Sequence, residues 1–184
     1  MDKPLFRRAR DCRVSRISPA DTNKFVMTVD PVTDKAPFLS VVEIFEPGGK
    51  TPLHHHDHAH EMFYVLSGRG RAHCDGATYD MEKGDTLVLP PGMDHVVENV
   101  GADRLYCLTV MVPNEGLAEL IRAGAAMALD AADEAVVSAH GLPDRAHPAR
   151  LMSLSAQDAR GPEEHEESYS VLILLQSSST SLVS

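Results

Sequence analysis

Between Phe25 and Val112 the chain is cut into short apolar runs by turn residues every 8 to 12 positions or so, and this punctuation restricts the available folds more than any other feature. Phe25 to Val29 stops at Asp30-Pro31, Phe38 to Phe45 at Glu46-Pro47-Gly48-Gly49, and Met62 to Leu66 at Ser67-Gly68. Asp75-Gly76, Lys83-Gly84-Asp85, Leu87 to Leu89, Pro90-Pro91-Gly92 and Leu105 to Val112 continue the pattern. Such spacing leaves no room for long helices and predicts an all-β region, a small antiparallel β-barrel or jelly roll over 25–113. The apolar runs also stop far short of the roughly 20 residues that a membrane-spanning helix needs, so no membrane is expected.

The flanks read differently. Residues 1–24 carry Lys3, Arg7, Arg8, Arg10, Arg13 and Arg16, but Asp2 and Asp11 interrupt them and no apolar stretch follows, so a solvated leading strand and loop is expected rather than a targeting segment. After Pro113 the period changes to that of a helix. Asn114 is a suitable N-cap, Leu117, Leu120, Ile121 and Gly124 recur at helical spacing, and Asp130-Ala-Ala-Asp133 opens a second run that ends at Gly141-Leu142-Pro143. A short C-terminal helical extension over 114–143 is therefore expected to cover a sheet face or rim. Residues 144–184 lose periodicity, contain Glu163-Glu164-His165-Glu166-Glu167, and place serine at five of the last eight positions, which reads as a disordered tail. Within it, Val171 to Leu175 is apolar enough to add a strand or dock on a partner chain, and a homodimer is expected.

A formal charge of −10 repels polyanions, so nucleic acid is not an expected partner. Cys12, Cys74 and Cys107 are too few and too scattered for a disulfide framework or a thiolate zinc site, which makes a reducing cytoplasm the expected compartment.

Seven of the ten histidines, His54, His55, His56, His58, His60, His73 and His95, fall within 42 residues, a density that points to metal binding. On an extended strand His54 and His56 share a face while His55 points away. Glu61 lies at odd parity to His56, so a turn or bulge within Asp57 to His60 is required if its carboxylate is to join them. Glu61 opens the run Glu61 to Leu66, whose apolar body suits a strand covered on both faces. A fourth ligand has to come from another strand, and His95, after Pro91-Gly92, is the best placed histidine. His55, His58 and His60 are expected at the rim. His73 and Cys74 are neighbours on one hairpin strand and face opposite ways, so they do not chelate one ion. Asn99 is expected to be a turn or strand-pairing residue.

The segment with Gly48, five residues, His54-His55-His56, four residues, Glu61, six residues and Gly68 resembles the first cupin motif position for position. Gly84, five residues, Pro90-Pro91-Gly92, two residues, His95, three residues and Asn99 resemble the second, with 15 residues between the motifs. The resemblance is to single-domain cupins of the quercetin dioxygenase-like group, and more loosely to those attached to polyketide cyclisation. It implies one divalent transition metal per chain, of the set Fe, Mn, Ni, Co or Zn, held by His54, His56, Glu61 and His95. It also implies a small-molecule substrate that is oxygenated or enolisable, and a metal-dependent dioxygenase in which Glu61 takes the substrate proton. A non-redox isomerase or polyketide-type cyclase, and a non-catalytic binding or sensing protein, are the alternatives on the same ligand set.

Overall fold

The computed structural model describes residues 3–139, so the expected tail, Val171 to Leu175, and His140, His147 and His165 lie outside the described residues. A 3₁₀ turn at Ala9–Asp11 precedes β1 (Arg13–Arg16), β2 (Asn23–Val29), β3 (Leu39–Phe45), β4 (His60–Ser67), β5 (Arg69–Cys74) and β6 (Ala77–Glu82). Then follow β7 (Thr86–Leu89), β8 (His95–Asn99), β9 (Leu105–Val112), α1 (Leu117–Ala123), β10 (Ala125–Ala126) and α2 (Ala131–Ala139). All pairings between these strands are antiparallel. One sheet runs β10-β1-β2-β3-β9-β4-β7 and the other β6-β5-β8, the expected small antiparallel barrel built from two sheets. Among the described residues no helix is long and apolar enough to cross a membrane.

Strand parity divides the large sheet into two faces. Inward, Phe45, Phe63, Val65, Leu105 and Cys107 meet Ala72, Cys74, Met81 and Val97 of the small sheet. Farther along the same inner face, Phe25, Met27, Leu39, Val41 and Met111 pack with Ala118 and Ile121 of α1, which closes that end. Outward, Val26, Val42, Ile44, Leu66 and Tyr106 are covered by Leu129, Val136 and Val137 of the α2 region. The chain crosses between sheets at Gly68, where φ is +91° and a Cβ would sit 2.5 Å from the Arg104 carbonyl oxygen, so only glycine fits the crossing.

Three local expectations are corrected. The strand β4 is not covered on both faces along its length: Glu61, Phe63 and Val65 are buried, but Tyr64 between them is exposed, because the cover given by the α2 region reaches β4's outer face only at Leu66. Asn114 is not the N-cap of α1, a place taken by Gly116; its Oδ1 still accepts from Ala118 N at 2.9 Å and so caps the turn from farther upstream. Leu120 does not join the core: α1 buries Ala118 and Ile121 and leaves Leu120 56% exposed.

The second helix is docked by charge as well as by apolar packing. Asp130 Oδ1 accepts from the N–H groups of Ala132 and Asp133 at 3.0 Å each, and Asp133 Oδ2 accepts from Asp130 N at 3.3 Å, a reciprocal capping box. Asp133 is fully buried and also accepts from Lys24 Nζ at 2.7 Å, Arg104 at 2.9 Å and the Tyr106 hydroxyl at 3.1 Å. Burial, followed by this carboxylate acceptor, raises the Tyr106 hydroxyl to about 12, which keeps it a donor. Asp133→Ala leaves Lys24 buried with only Glu46, at 3.6 Å, as a distant partner. Uncompensated burial of this kind costs about 3 kcal/mol, so urea unfolding of the variant is expected to show a loss of unfolding free energy of that size, seen as a lower midpoint at unchanged slope.

Candidate metal centre

His54 and His95 are brought together by backbone pairing. His54 N donates to His95 O at 3.2 Å and His95 N to His54 O at 2.8 Å, so the two residues stand directly opposite each other and their side chains share a face. Their ring centroids are 4.2 Å apart. His56 reaches the same point by another route, because residues 51–59 form no regular strand. Its carbonyl accepts from Gly92 N at 2.7 Å and the chain bends at Asp57-His58, which leaves the His56 ring 5.0 Å from that of His54. The pair expected from strand alternation is thus present, but a tethered loop produces it. Glu61 enters from the inner face of β4, with Oε2 3.2 Å from His56 Nε2 and 3.1 Å from His95 Nε2.

One ligand atom from each of His54, His56, Glu61 and His95 lies within 4.8 Å of all the others. Donors around one ion, each about 2.1 Å from it, take a span of about 4 Å, so a small contraction would close the site. The hydrogen bonding prepares the donors. His54 Nδ1 lies 2.9 Å from Pro52 O and His95 Nδ1 2.9 Å from Met93 O. A carbonyl only accepts, so each Nδ1 is assigned the proton and each Nε2 presents a lone pair, the form that ligates metal. In His95 that nitrogen faces Glu61 Oε2 at 3.1 Å, a contact bridged by a proton in the absence of metal and by the ion in its presence. Three imidazoles and one carboxylate suit a single divalent transition ion with coordination positions left over.

The surroundings bias the charge of the donors in different directions. Burial alone would raise the Glu61 carboxyl, but hydrogen bonds from His56 and His95 outweigh it and hold the group at about 2. Burial pushes His54 down, toward the neutral ligand form. Its bond to Glu61 raises His56, and the Glu115 carboxylate 3.7 Å from Nδ1 adds to the effect.

The remaining sequence candidates sit elsewhere. His55 is exposed, its Nδ1 2.8 Å from Asp94 Oδ1, and His58 and His60 are also exposed. His73 reaches Thr78 and Glu98 on the outside of the small sheet, while Cys74 points into the core. Asn99 is structural: its Nδ2 donates to the carbonyls of Phe45, Glu46 and Asp103 at 3.0, 3.1 and 2.9 Å.

Two carboxylates near the centre escaped sequence reasoning. Glu115, in the loop after β9, accepts from His58 N and approaches His56; nothing in the local sequence marks it. Glu43 had a signal, since it is the one charged residue in Leu39 to Phe45 and has the inward parity of Leu39, Val41 and Phe45. It is 4% exposed, and its Oε1 accepts from Asn23 Nδ2 at 3.0 Å. Burial, reinforced by the Glu61 carboxylate and only partly offset by Asn23, pushes Glu43 up to about 8. Glu43, His54, His56, Glu61 and Glu115 line one cavity of about 680 Å³, whose apolar walls include Phe25, Phe63, Leu117 and Leu120.

The barrel is double-sheeted and antiparallel with this cluster on its inner wall, and residues 41–111 match the cupin domain family, in keeping with the resemblance of the two motifs. The chain is 39% identical over 75 residues to an uncharacterized protein of Methanocaldococcus jannaschii, covering 40% of this chain and 60% of that one. It is 33% identical over 66 residues to an oxalate-binding protein of Thermotoga maritima, covering 36% and 54%. It is 31% identical over 77 residues to the polyketide synthase CurC of Streptomyces cyaneus, covering 40% and 50%. The match thus spans little more than half the length of these relatives. The crystal structure of a predicted oxalate decarboxylase from Thermotoga maritima has the same fold, with a TM-score of 0.54 at 23% identity over 60% of this chain and 100% of that one.

Removing His95 takes away a ligand and leaves Glu61 without one of its two partners. His95→Ala is expected to lower zinc affinity by more than the 10- to 100-fold or so typical of outer partners. His55→Ala is expected to keep one zinc per chain by elemental analysis. Equal losses in the two variants would contradict the assignment of His55 to the rim.

Proposed function

We propose that this protein is a metal-dependent enzyme acting on a small oxygenated, enolisable organic molecule, with dioxygenation as its reaction. The observation that carries the reading is the cavity itself, in which His54, His56 and Glu61 of the four-donor cluster face a space of about 680 Å³ with apolar walls. That volume lies within the roughly 300 to 1,000 Å³ of cavities that enclose substrates larger than a two-carbon acid. The lining includes Asp21, Glu61 and Glu115 against one lysine, Lys50, so beyond the ion it disfavours a small dianion such as oxalate.

The bound ion supplies a Lewis acid that polarises a substrate oxygen. Glu61, ionised and held by His56 and His95, is the group assigned to accept the proton lost on enolisation. Phe25, Phe63, Leu117 and Leu120 hold the apolar body of the substrate and keep water from it. Glu115 orients His56 through its carboxylate. The similarity to a polyketide synthase supports a second reading, a non-redox cyclase or isomerase on the same enolisable substrate class.

Turnover of enolisable diketones and flavonols by iron-, manganese- and zinc-loaded protein, with and without oxygen, separates the two. Loss of turnover without oxygen supports the dioxygenase, and unchanged anaerobic product formation supports the cyclase or isomerase. Retention of a ligand with no product under either condition overturns both in favour of a binding protein. Glu61→Gln is expected to lower turnover per bound ion by about 10² to 10⁴, the usual contribution of a positioned base. A rate per ion equal to wild type would make Glu61 a ligand only.

A further inference from the structure

Glu43 has no place in the metal cluster, yet it lines the same cavity. Its surroundings are those of a core position. Phe25 and Cys107 stand opposite it on β2 and β9, and Val41 and Phe45 flank it on the same face of β3. Among the described residues no cation pairs with it, in contrast to the buried Asp133 on the outer face. A carboxyl placed there without a counter-charge is kept in its acid form by desolvation.

The hydrogen-bond chain around it decides where the acid proton sits. The Thr22 hydroxyl donates to Asn23 Oδ1 at 3.2 Å, which turns the amide so that Asn23 Nδ2 donates to Glu43 Oε1 at 3.0 Å. Oε1 is thereby committed as an acceptor, and the proton belongs to Oε2, which makes no hydrogen bond among the described residues. Gly49 protects the arrangement, because a Cβ there would sit 2.8 Å from Thr22 Oγ1 and 3.1 Å from Asn23 Oδ1. A position that leucine could fill with less loss of solvation instead holds an oriented hydrogen-bond donor with an unused proton.

We propose that Glu43, oriented by Asn23, is a second polar anchor of the cavity, its carboxyl donating the Oε2 proton in a hydrogen bond to a carbonyl-type acceptor oxygen of a substrate whose chelating oxygens face the His54, His56, Glu61 and His95 cluster. This rests on the metal-centred reading above and narrows its substrate class. The favoured molecule carries, beyond an enolisable chelating pair of oxygens, a further neutral acceptor oxygen. A carboxylate at that point is not required, because the anchor contributes a donor and no positive charge. Glu43 is a specificity-determining residue and takes no part in the transfer of the substrate proton assigned to Glu61.

The test uses full-length protein loaded with zinc and two ligands, acetylacetone, which offers only a chelating diketone, and heptane-2,4,6-trione, which adds a third carbonyl. Zinc content is measured first. A wild-type chain that binds no zinc would overturn the metal-centred reading and this inference with it. With zinc bound, wild type is expected to prefer the trione over acetylacetone by about tenfold, the scale of one buried hydrogen bond. Glu43→Leu is expected to abolish that preference while leaving zinc content and acetylacetone affinity unchanged. Glu43→Gln is expected to keep it, since its amide still accepts from Asn23 and still presents an N–H donor to the cavity. A preference that survives Glu43→Leu, or that falls as far in Glu43→Gln, would overturn the donor role while leaving the metal centre intact. Glu43→Met supplies the same deletion with a more adaptable side chain if Glu43→Leu fails to fold.

Discussion

A carboxylate buried to 3% exposure has to be met by donors or by a cation, and Glu61 is met from both sides of the barrel. It projects from β4 in the large sheet. The partner on one side, His95, begins β8 in the small sheet, and the partner on the other, His56, hangs from a loop tied by its carbonyl to Gly92. The two sheets are therefore joined across the interior by polar contacts at one end, in addition to the apolar layer formed by Phe45, Phe63, Val65 and Leu105 with Ala72, Met81 and Val97. A divalent ion among these donors would replace a shared proton with a stronger counter-charge at the point where the sheets meet.

The large sheet handles its two buried acidic sites differently, and the contrast shows their roles. On the outer face Asp133 is surrounded by Lys24, Arg104 and Tyr106, a closed set in which each donor finds an acceptor and α2 is held in register on the sheet. Loops from distant parts of the chain contribute in the same way, as where Arg122 at the end of α1 binds Asp30 at 3.0 Å. On the inner face, among the described residues, no lysine or arginine pairs with Glu61 or Glu43, whose partners are imidazoles and one amide. Saturated ionic networks fix structure, whereas partly satisfied carboxylates facing a cavity retain capacity for an ion or a ligand. The helix α1 belongs to both categories, with Ala118 and Ile121 in the core and Leu117 and Leu120 in the cavity wall.

Much of this was legible in the chain. Turn residues at short intervals exclude long helices and leave antiparallel pairing as the way to satisfy the backbone, so the barrel and its approximate extent follow from local chemistry. The spacing of His54, His56, Glu61 and His95 within two motifs identified the residues that the structure brings to one point. The reasoning from strand alternation reached the right pair, His54 and His56, for a reason the structure replaces: no regular strand runs there, and the convergence depends on the His54 to His95 backbone bridge and the Gly92 tether.

What the sequence by itself determined is what depends on neighbours along the chain: strand punctuation, the turn at Ser67-Gly68, the opening of α2 at Asp130, and the supply of imidazoles. What only the tertiary structure decided is what depends on contacts between residues far apart in sequence. Lys24 pairs with Asp133 across 109 positions and His95 meets Glu61 across 34, and no local pattern encodes either. Glu43 is the clearest case. In sequence it is one acidic residue in an apolar strand, equally readable as an outward charge, until β2 supplies Asn23 and β9 supplies an apolar wall, and burial without a counter-charge turns it from a solvated anion into an oriented acid.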